Sequence, residues 1–481
     1  PAGAFAWRVS EEPFMAVAKD WLSNLKVRLS YGTSGSDNIN SNLWRETWSS
    51  LSSSSNHTPI NGELGSFYRP DGLLANSDLK WETTISRNLG LDFGFLNNRI
   101  NGSLEIYWNT TKDLLMAVPV DNTTGYSYQF QNFGKTSNRG IELSLNFDVI
   151  NKGDFRFNIG AIYNYNRNKL DELPNADQYL YSSYWGSSSL VPTNDYMFVE
   201  GKAIGLVRGF VSEGFYTVND FRYENGQYIL KEGIPDITKA LTATYMHPFN
   251  IPNGQTAFPG AAKFRDVNNS GTVDLDDATC LGEVMPRHTG SFQLNFNYKN
   301  FDLSSNFNWT AGGKVYNVAA MINASGQEFD GIGAQRTSWV ADTYKVYNVN
   351  SSGDLYAVID PNELNALNAN AKYHLPYHQS GITSSEWLED GSYLRLQTLT
   401  LGYTLPHTVL NKIHIEKLRI YLTATNLFTI TGYSGIDPEV NATPTGQSGF
   451  YSNLRVFPTL NMDFGTYPRA RTFTLGANIT F

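Results

Sequence analysis

Polar and apolar residues alternate along this chain in blocks of period two, most clearly in its last block. From Arg471 to Phe481, Phe473, Leu475, Ala477, Ile479 and Phe481 fall on one side. Thr472, Thr474, Gly476, Asn478 and Thr480 fall on the other. Successive side chains of a strand point to opposite faces, so this segment has one greasy face and one polar, nearly uncharged face. Its length matches the roughly 9–11 residues with which a tilted strand crosses a bilayer. An edge strand of a soluble sandwich would show the same alternation, and the segment alone does not separate the two.

Ten further segments repeat the pattern. Their apolar positions are Phe5, Trp7 and Val9; Leu25, Val27, Leu29 and Tyr31; Leu89, Leu91, Phe93 and Phe95; and Ile100, Leu104, Ile106 and Trp108. Next come Ile141, Leu143, Leu145 and Phe147, then Phe155, Phe157, Ile159, Ala161 and Tyr163. The series continues with Phe292, Leu294, Phe296 and Tyr298; Phe301, Leu303, Phe307 and Trp309; Leu399, Leu401, Tyr403 and Leu405; and Leu418, Ile420, Leu422 and Ala424. Tight turns at 96–99, 151–153 and 299–300 carry the Asn and Gly residues that hairpins use. They alternate with long polar stretches at 33–80, 111–132, 166–288, 310–390 and 429–470.

That asymmetry predicts an all-β, antiparallel transmembrane barrel with short periplasmic turns and long extracellular loops. The segment 203–216 also looks like a strand, but as a spanning strand it would reverse the direction of everything after it. Placed inside the extracellular loop 166–288, it leaves 11 spanning strands, with Phe481 at the periplasmic end. Bacterial single-chain barrels have even counts, so 11 reads as half of a roughly 22-stranded barrel whose other strands lie upstream. Residues 1–481 are then the C-terminal part of the barrel, without the preceding strands. Trp7, Tyr31, Trp108, Tyr298, Trp309 and Tyr403 stand near strand ends, where interfacial girdles form.

Composition agrees. Aromatics make up 14% of the chain and charged residues only 17%, below the usual proportion of about 25%. Mean hydropathy alone reads as water-soluble, and no apolar run approaches the roughly 18 residues of a membrane helix. Cys280 is the only cysteine, which excludes an internal disulfide and is expected as a small buried apolar side chain. The first residues, Pro1 to Val9, show no signal-peptide pattern and already read as a strand.

Several phrases, in order along the chain, resemble the C-terminal half of a SusC/RagA-type TonB-dependent outer-membrane transporter of the Bacteroidetes class. They include Trp7-Arg8-Val9-Ser10-Glu11-Glu12-Pro13-Phe14, Leu79-Lys80-Trp81-Glu82, Gly90-Leu91-Asp92-Phe93-Gly94-Phe95 and Asn138-Arg139-Gly140-Ile141-Glu142-Leu143. Later come Glu389-Asp390-Gly391-Ser392-Tyr393-Leu394-Arg395-Leu396, Thr425-Asn426-Leu427-Phe428 and Asp437-Pro438-Glu439. The resemblance implies import of oligosaccharides or peptides, a SusD-like surface lipoprotein as lid, and energy from TonB. It also implies an N-terminal plug and barrel half, which this chain lacks.

One loop has metal-binding spacing. Residues 266–277 fit a twelve-residue EF-hand-like frame, with Asp266, Asn268 and Ser270 at positions 1, 3 and 5 and Gly271 at the sharp turn. Thr272 offers a carbonyl, and Asp274 and Asp277 close the set, an all-oxygen group suited to Ca²⁺. Its role would be to stiffen the long loop. Ser270 is neutral where acids are common, and Asp277 is shorter than the usual Glu.

Tyr179, Tyr181, Tyr184 and Trp185 are candidates for stacking on a substrate or the lid, with packing between loops as the alternative. Lys26, Arg28, Asp92, Glu105, Glu142 and Arg419 face the polar side and either line a path or bond to one another, to the plug or to water. No enzyme is expected: the seven histidines show no metal-ligand spacing, and Glu389 and Asp390 point to opposite faces of a strand, so they cannot converge on one bond. An acidic chain, net −9, without a basic stripe argues against nucleic acid. The competing expectation is a secreted or surface glycan-binding, adhesin-like β protein, or a β-sandwich or propeller that degrades polysaccharide.

Overall fold

The structure is a computed structural model. It describes residues 1–481 apart from 37–42, 52–58, 61–62, 65–66, 71–72, 127, 174–177, 184–189, 243–246, 326–336, 376–380, 411–414 and 441–459. Eleven strands form one antiparallel meander, each bonded to the next in sequence. They are β1 (Ala2–Arg8), β2 (Leu22–Ser36), β3 (Glu82–Phe95), β4 (Ile100–Lys112), β5 (Lys135–Lys152) and β6 (Phe155–Glu172). The set is completed by β7 (His288–Tyr298), β8 (Phe301–Ala311), β9 (Tyr393–Thr404), β10 (Lys417–Thr431) and β11 (Thr472–Thr480). Every alternating block forms a strand, although Val9, Leu405 and Phe481 fall just outside the strands that carry their blocks.

Register aligns the apolar positions across the sheet. One row runs Phe5, Leu29, Leu89, Ile106, Ile141 and Tyr165 from β1 to β6. Another runs Phe157, Phe296, Leu303, Leu401, Leu422 and Leu475 from β6 to β11. Aromatic rings stack along this face, Phe157 on Phe296 at 4.1 Å and Phe292 on Phe307 at 4.5 Å between centroids. Yet the face is uncovered: Phe473 is 64%, Leu475 77% and Ile479 50% exposed. Water-soluble monomers keep exposed apolar patches to a few hundred Å². A greasy wall this wide needs a hydrocarbon partner, and no second sheet among the described residues covers it. The sheet is also open, since β1 and β11 each have one neighbour and do not pair with each other.

Connections alternate strictly. Short ones join β1–β2, β3–β4, β5–β6, β7–β8 and β9–β10, and long ones join the rest, all at the opposite end. In the turn 96–99, Leu96, Asn97 and Asn98 all have positive φ, at 52°, 55° and 60°. Trp7, Tyr298 and Tyr403 lie near the short-turn end of the apolar face, and Tyr31, Trp108 and Trp309 lie toward the long-loop end. No helix among the described residues is long and apolar enough to cross a membrane.

The long loops carry the buried core. Strands at Gln178–Tyr181, Tyr196–Val199, Leu206–Gly209 and Thr279–Glu283 form a separate four-stranded sheet, so 203–216 is strand-rich but lies off the meander. Phe210, Tyr216, Phe221, Tyr228, Ile237 and Phe264 of the β6–β7 loop pack with Tyr344, Val346, Val358, Leu364 and Ile382 of the β8–β9 loop. A second core joins Leu170 and Leu173 to Tyr181, Tyr196, Tyr316, Trp387 and Met462. Cys280 corrects the expectation of burial: it is exposed, because its strand is the edge of the four-stranded sheet.

Candidate functional site

Two surfaces can carry function: the polar face of the meander and the loops above its long-loop end. On the polar face the register runs Arg28, Gly90, Glu105, Glu142, Asn164, Thr289 across β2 to β7. Arg28 reaches across two strands. Its Nη2 donates to Asp92 at 2.8 Å and to Glu105 at 2.6 Å, while Asn88 donates to the other Glu105 oxygen at 2.9 Å. Gly90 makes this possible, since a Cβ there would stand 2.8 Å from the Arg28 guanidinium carbon. Lys26 adds a looser contact to Asp92 at 4.0 Å. Arg419 forks onto Asp302 through Nε at 2.9 Å and Nη2 at 2.5 Å. Of the six charged positions read from the sequence, Lys26, Arg28, Asp92 and Glu105 form one network, and Arg419 takes an unanticipated partner. Glu142 stands opposite Glu105 across β4 and β5. This face is polar and internally bonded, which suits a water-filled lumen.

At the long-loop end, Tyr181 is 4% exposed and stacks on Tyr196 and Phe198 at 5.5 and 4.8 Å. Tyr179 pairs with Phe198 and packs against the same core. Tyr181 is therefore part of the loop core, while Tyr179 lies half-buried against it. Tyr184 and Trp185 lie outside the described residues.

In the loop 266–277, the chain wraps around its own side chains. Asp266 accepts from the Ser270 and Gly271 amides at 3.1 and 2.7 Å, and Asn268 accepts from the Ser270 amide at 2.8 Å. Gly271 has φ +87°, the left-handed turn that a Cβ would strain. The Ser270 hydroxyl donates to the Thr272 carbonyl at 2.8 Å. Asp274 accepts from the Asp276 amide at 2.8 Å. Asp277, 0% exposed, is held by the amides of Val267 and Asn268 on one oxygen and of Asp274 on the other. The donor set, all oxygen and without nitrogen or sulfur, fits a hard cation. Two amides fill one Asp277 oxygen, so that carboxylate can offer one ligand atom where a Glu would offer two. Among the described residues no cluster of three or more acidic, His or Cys side chains converges to hold a metal.

Sequence reasoning missed a buried ion cluster. Arg395 on β9, 2% exposed, donates through Nη2 to Asp437 at 2.5 Å and through Nη1 to Glu439 at 2.9 Å. Arg469 grips the other Glu439 oxygen at 2.6 Å. Glu389 accepts from Asn317 and from both the amide and the hydroxyl of Ser434. Two phrases noted separately in the sequence, one around 389–396 and one at 437–439, therefore latch the β10–β11 loop to the sheet. Asp390 accepts instead from Ser392 at 2.7 Å, so Glu389 and Asp390 do diverge. Elsewhere in the loops, burial pushes the His247 imidazole below its usual value, its ring stacked 4.1 Å from Phe258.

Comparison with known proteins agrees with this geometry. Residues 1–427 match the family described as "TonB dependent receptor-like, beta-barrel". The TonB-dependent receptor P3 of Formosa agariphila is 29% identical, over all of this chain and 42% of its own length. TonB-dependent receptor SusC of Bacteroides thetaiotaomicron is 27% identical, over all of this chain and 40% of its own. The solved RagAB peptide transporter superposes with TM-score 0.67 at 20% identity, over all of this chain and 43% of that one, a likeness of fold. The chain thus spans less than half the length of the relatives it matches.

Proposed function

The chain belongs to the TonB-dependent receptor-like β-barrel family, and on that premise we propose that it forms the wall and loop-bearing half of an outer-membrane nutrient importer. The single observation that carries this is the open eleven-stranded sheet, with one uncovered apolar face and one polar, bonded face. Two free edges call for more strands, which the upstream part of the protein would supply together with the plug and the attachment to TonB. In this reading the long loops are extracellular, and the short turns and Phe481 are periplasmic.

The cargo would be an oligosaccharide or a peptide. The fold neighbour RagAB, described as a peptide transporter, supports the peptide end of that range. A SusD-like lipoprotein would cover the long-loop end. The role is transport and not catalysis: the named relatives are receptors and transporters. Ca²⁺ would be held by Asp266, Asn268, Ser270, the Thr272 carbonyl, Asp274 and Asp277. It would add a cross-link within the loop and perform no chemistry.

The test is fractionation of the full-length protein. It should sediment with outer membranes, dissolve only in detergent, and run faster on a gel unheated than boiled, as a closed barrel does. Recovery in the buffer-soluble fraction would overturn the proposal.

A further inference from the structure

We infer that the connection between β1 and β2 is a foot that seats on the membrane surface, with Phe14, Val17 and Trp21 entering the phospholipid headgroup layer at the short-turn end. Turns that face water are built from Gly, Asn, Asp, Ser and Pro, and the turn at Gly153-Asp154 conforms. This connection does not. Phe14 is 62%, Val17 90% and Trp21 52% exposed, three large apolar groups displayed along a short 3₁₀ segment, Pro13–Ala18, and the turn after it.

The display is held rigidly and runs into the lipid-facing wall. Trp7, on the apolar face of β1, donates its indole N–H to Glu12 at 2.8 Å and meets Phe14 edge-on at 6.4 Å. Trp21 stacks on Phe95, on the apolar face of β3, at 6.0 Å with planes 8° apart. The Leu96 amide donates to the Trp21 carbonyl at 2.8 Å, and the Asn98 amide to the Ser23 hydroxyl at 3.1 Å. The foot is thereby tied to the next hairpin. It continues the apolar surface beyond the strand ends, which is where an indole or phenyl ring gains from a half-wet environment. Its charged residues, Arg8 and Lys19 against Glu11, Glu12 and Asp20, nearly balance. Attraction to anionic lipid is therefore not the driving force, and zwitterionic headgroups suffice.

This inference rests on the apolar face lying in the membrane, and the experiment keeps the two separable. In the full-length protein freed of its native cysteines, Cys280→Ser included, single cysteines at Phe14→Cys, Val17→Cys and, as reference, Leu475→Cys are labelled with a polarity-sensitive dye. The labelled proteins are placed in nanodiscs of phosphatidylcholine and phosphatidylethanolamine brominated either near the glycerol or near the chain end. Blue-shifted emission at positions 14 and 17, quenched more by the shallow bromine than by the deep one, is the expected result. Water-like, unquenched emission there overturns the foot while leaving the wall intact if position 475 is quenched by the deep bromine. A blue shift without quenching also overturns it, because the foot would then be covered by upstream protein. Loss of quenching at position 475 as well would sink the membrane reading itself.

Discussion

Leu475→Arg should cripple assembly, whereas Thr474→Arg, one residue away, should be tolerated. Leu475 is 77% exposed on the apolar face, with Leu422 as its cross-strand partner, while Thr474 faces the other way, opposite Thr423. At a rise of about 3.3 Å per residue and a strand tilt near 40°, Leu475 sits about 8 Å from the Thr472 end of β11 and about 13 Å from its Thr480 end. That places it near the middle of an apolar band about 25 Å tall. An arginine at that depth costs about 2–4 kcal/mol, which lowers the folded-to-unfolded ratio roughly 30- to 1,000-fold. The same residue on the polar face meets water and hydroxyls and should change stability by less than about 1 kcal/mol. Urea titration of the full-length protein in liposomes, read by heat-modifiable gel mobility, measures both. Equal effects, or a worse outcome for Thr474→Arg, would refute contact between this face and hydrocarbon.

Other outcomes follow from the loops. Arg395→Ala leaves Asp437 without its buried partner, Glu439 keeping Arg469, and should cost about 3–5 kcal/mol locally, opening 432–440 and 460–471 to protease in intact membranes; unchanged cleavage there would remove the latch. Asp266→Ala should abolish any stabilisation by calcium. A cation held at a hundred times its dissociation constant contributes about 2.7 kcal/mol, so melts with and without chelator should differ in the parent protein and coincide in the variant. The His247 imidazole titrates below its usual value of about 6.5 when folded. The unfolded chain therefore takes up the proton first, and the loop core should lose stability as pH falls from about 6.5 through the lower folded value. A protease-susceptibility profile for residues 206–284 checks the sign, and His247→Phe should flatten it.

All eleven strands could be read from the sequence because each lies between two unlike environments, which stamps period two on every block. The parity of long and short connections even excluded 203–216 from the wall. The loop core was not legible for the opposite reason. Its strands are two to five residues long, too short for a period to register. Phe210 and Tyr216 find Tyr344 and Val358 across more than a hundred residues, a pairing that no local pattern encodes. Tyr181 looked like a free ring in a serine-rich loop and lies inside the second core, with Tyr196 and Tyr316. Arg395 and Asp437 were each visible in a recognisable phrase, but their contact arises only when the β10–β11 loop folds back on β9. The calcium-type spacing was legible, while the full occupation of one Asp277 oxygen by two amides was not.

The most direct measurement is an experimental structure of the full-length protein in a lipid nanodisc. Acyl-chain density should lie against Phe473, Ile479 and Leu91, and β1 and β11 should each bond to a strand from outside residues 1–481. A second sheet packed over those three side chains, or β1 and β11 bonded directly to each other, would contradict it.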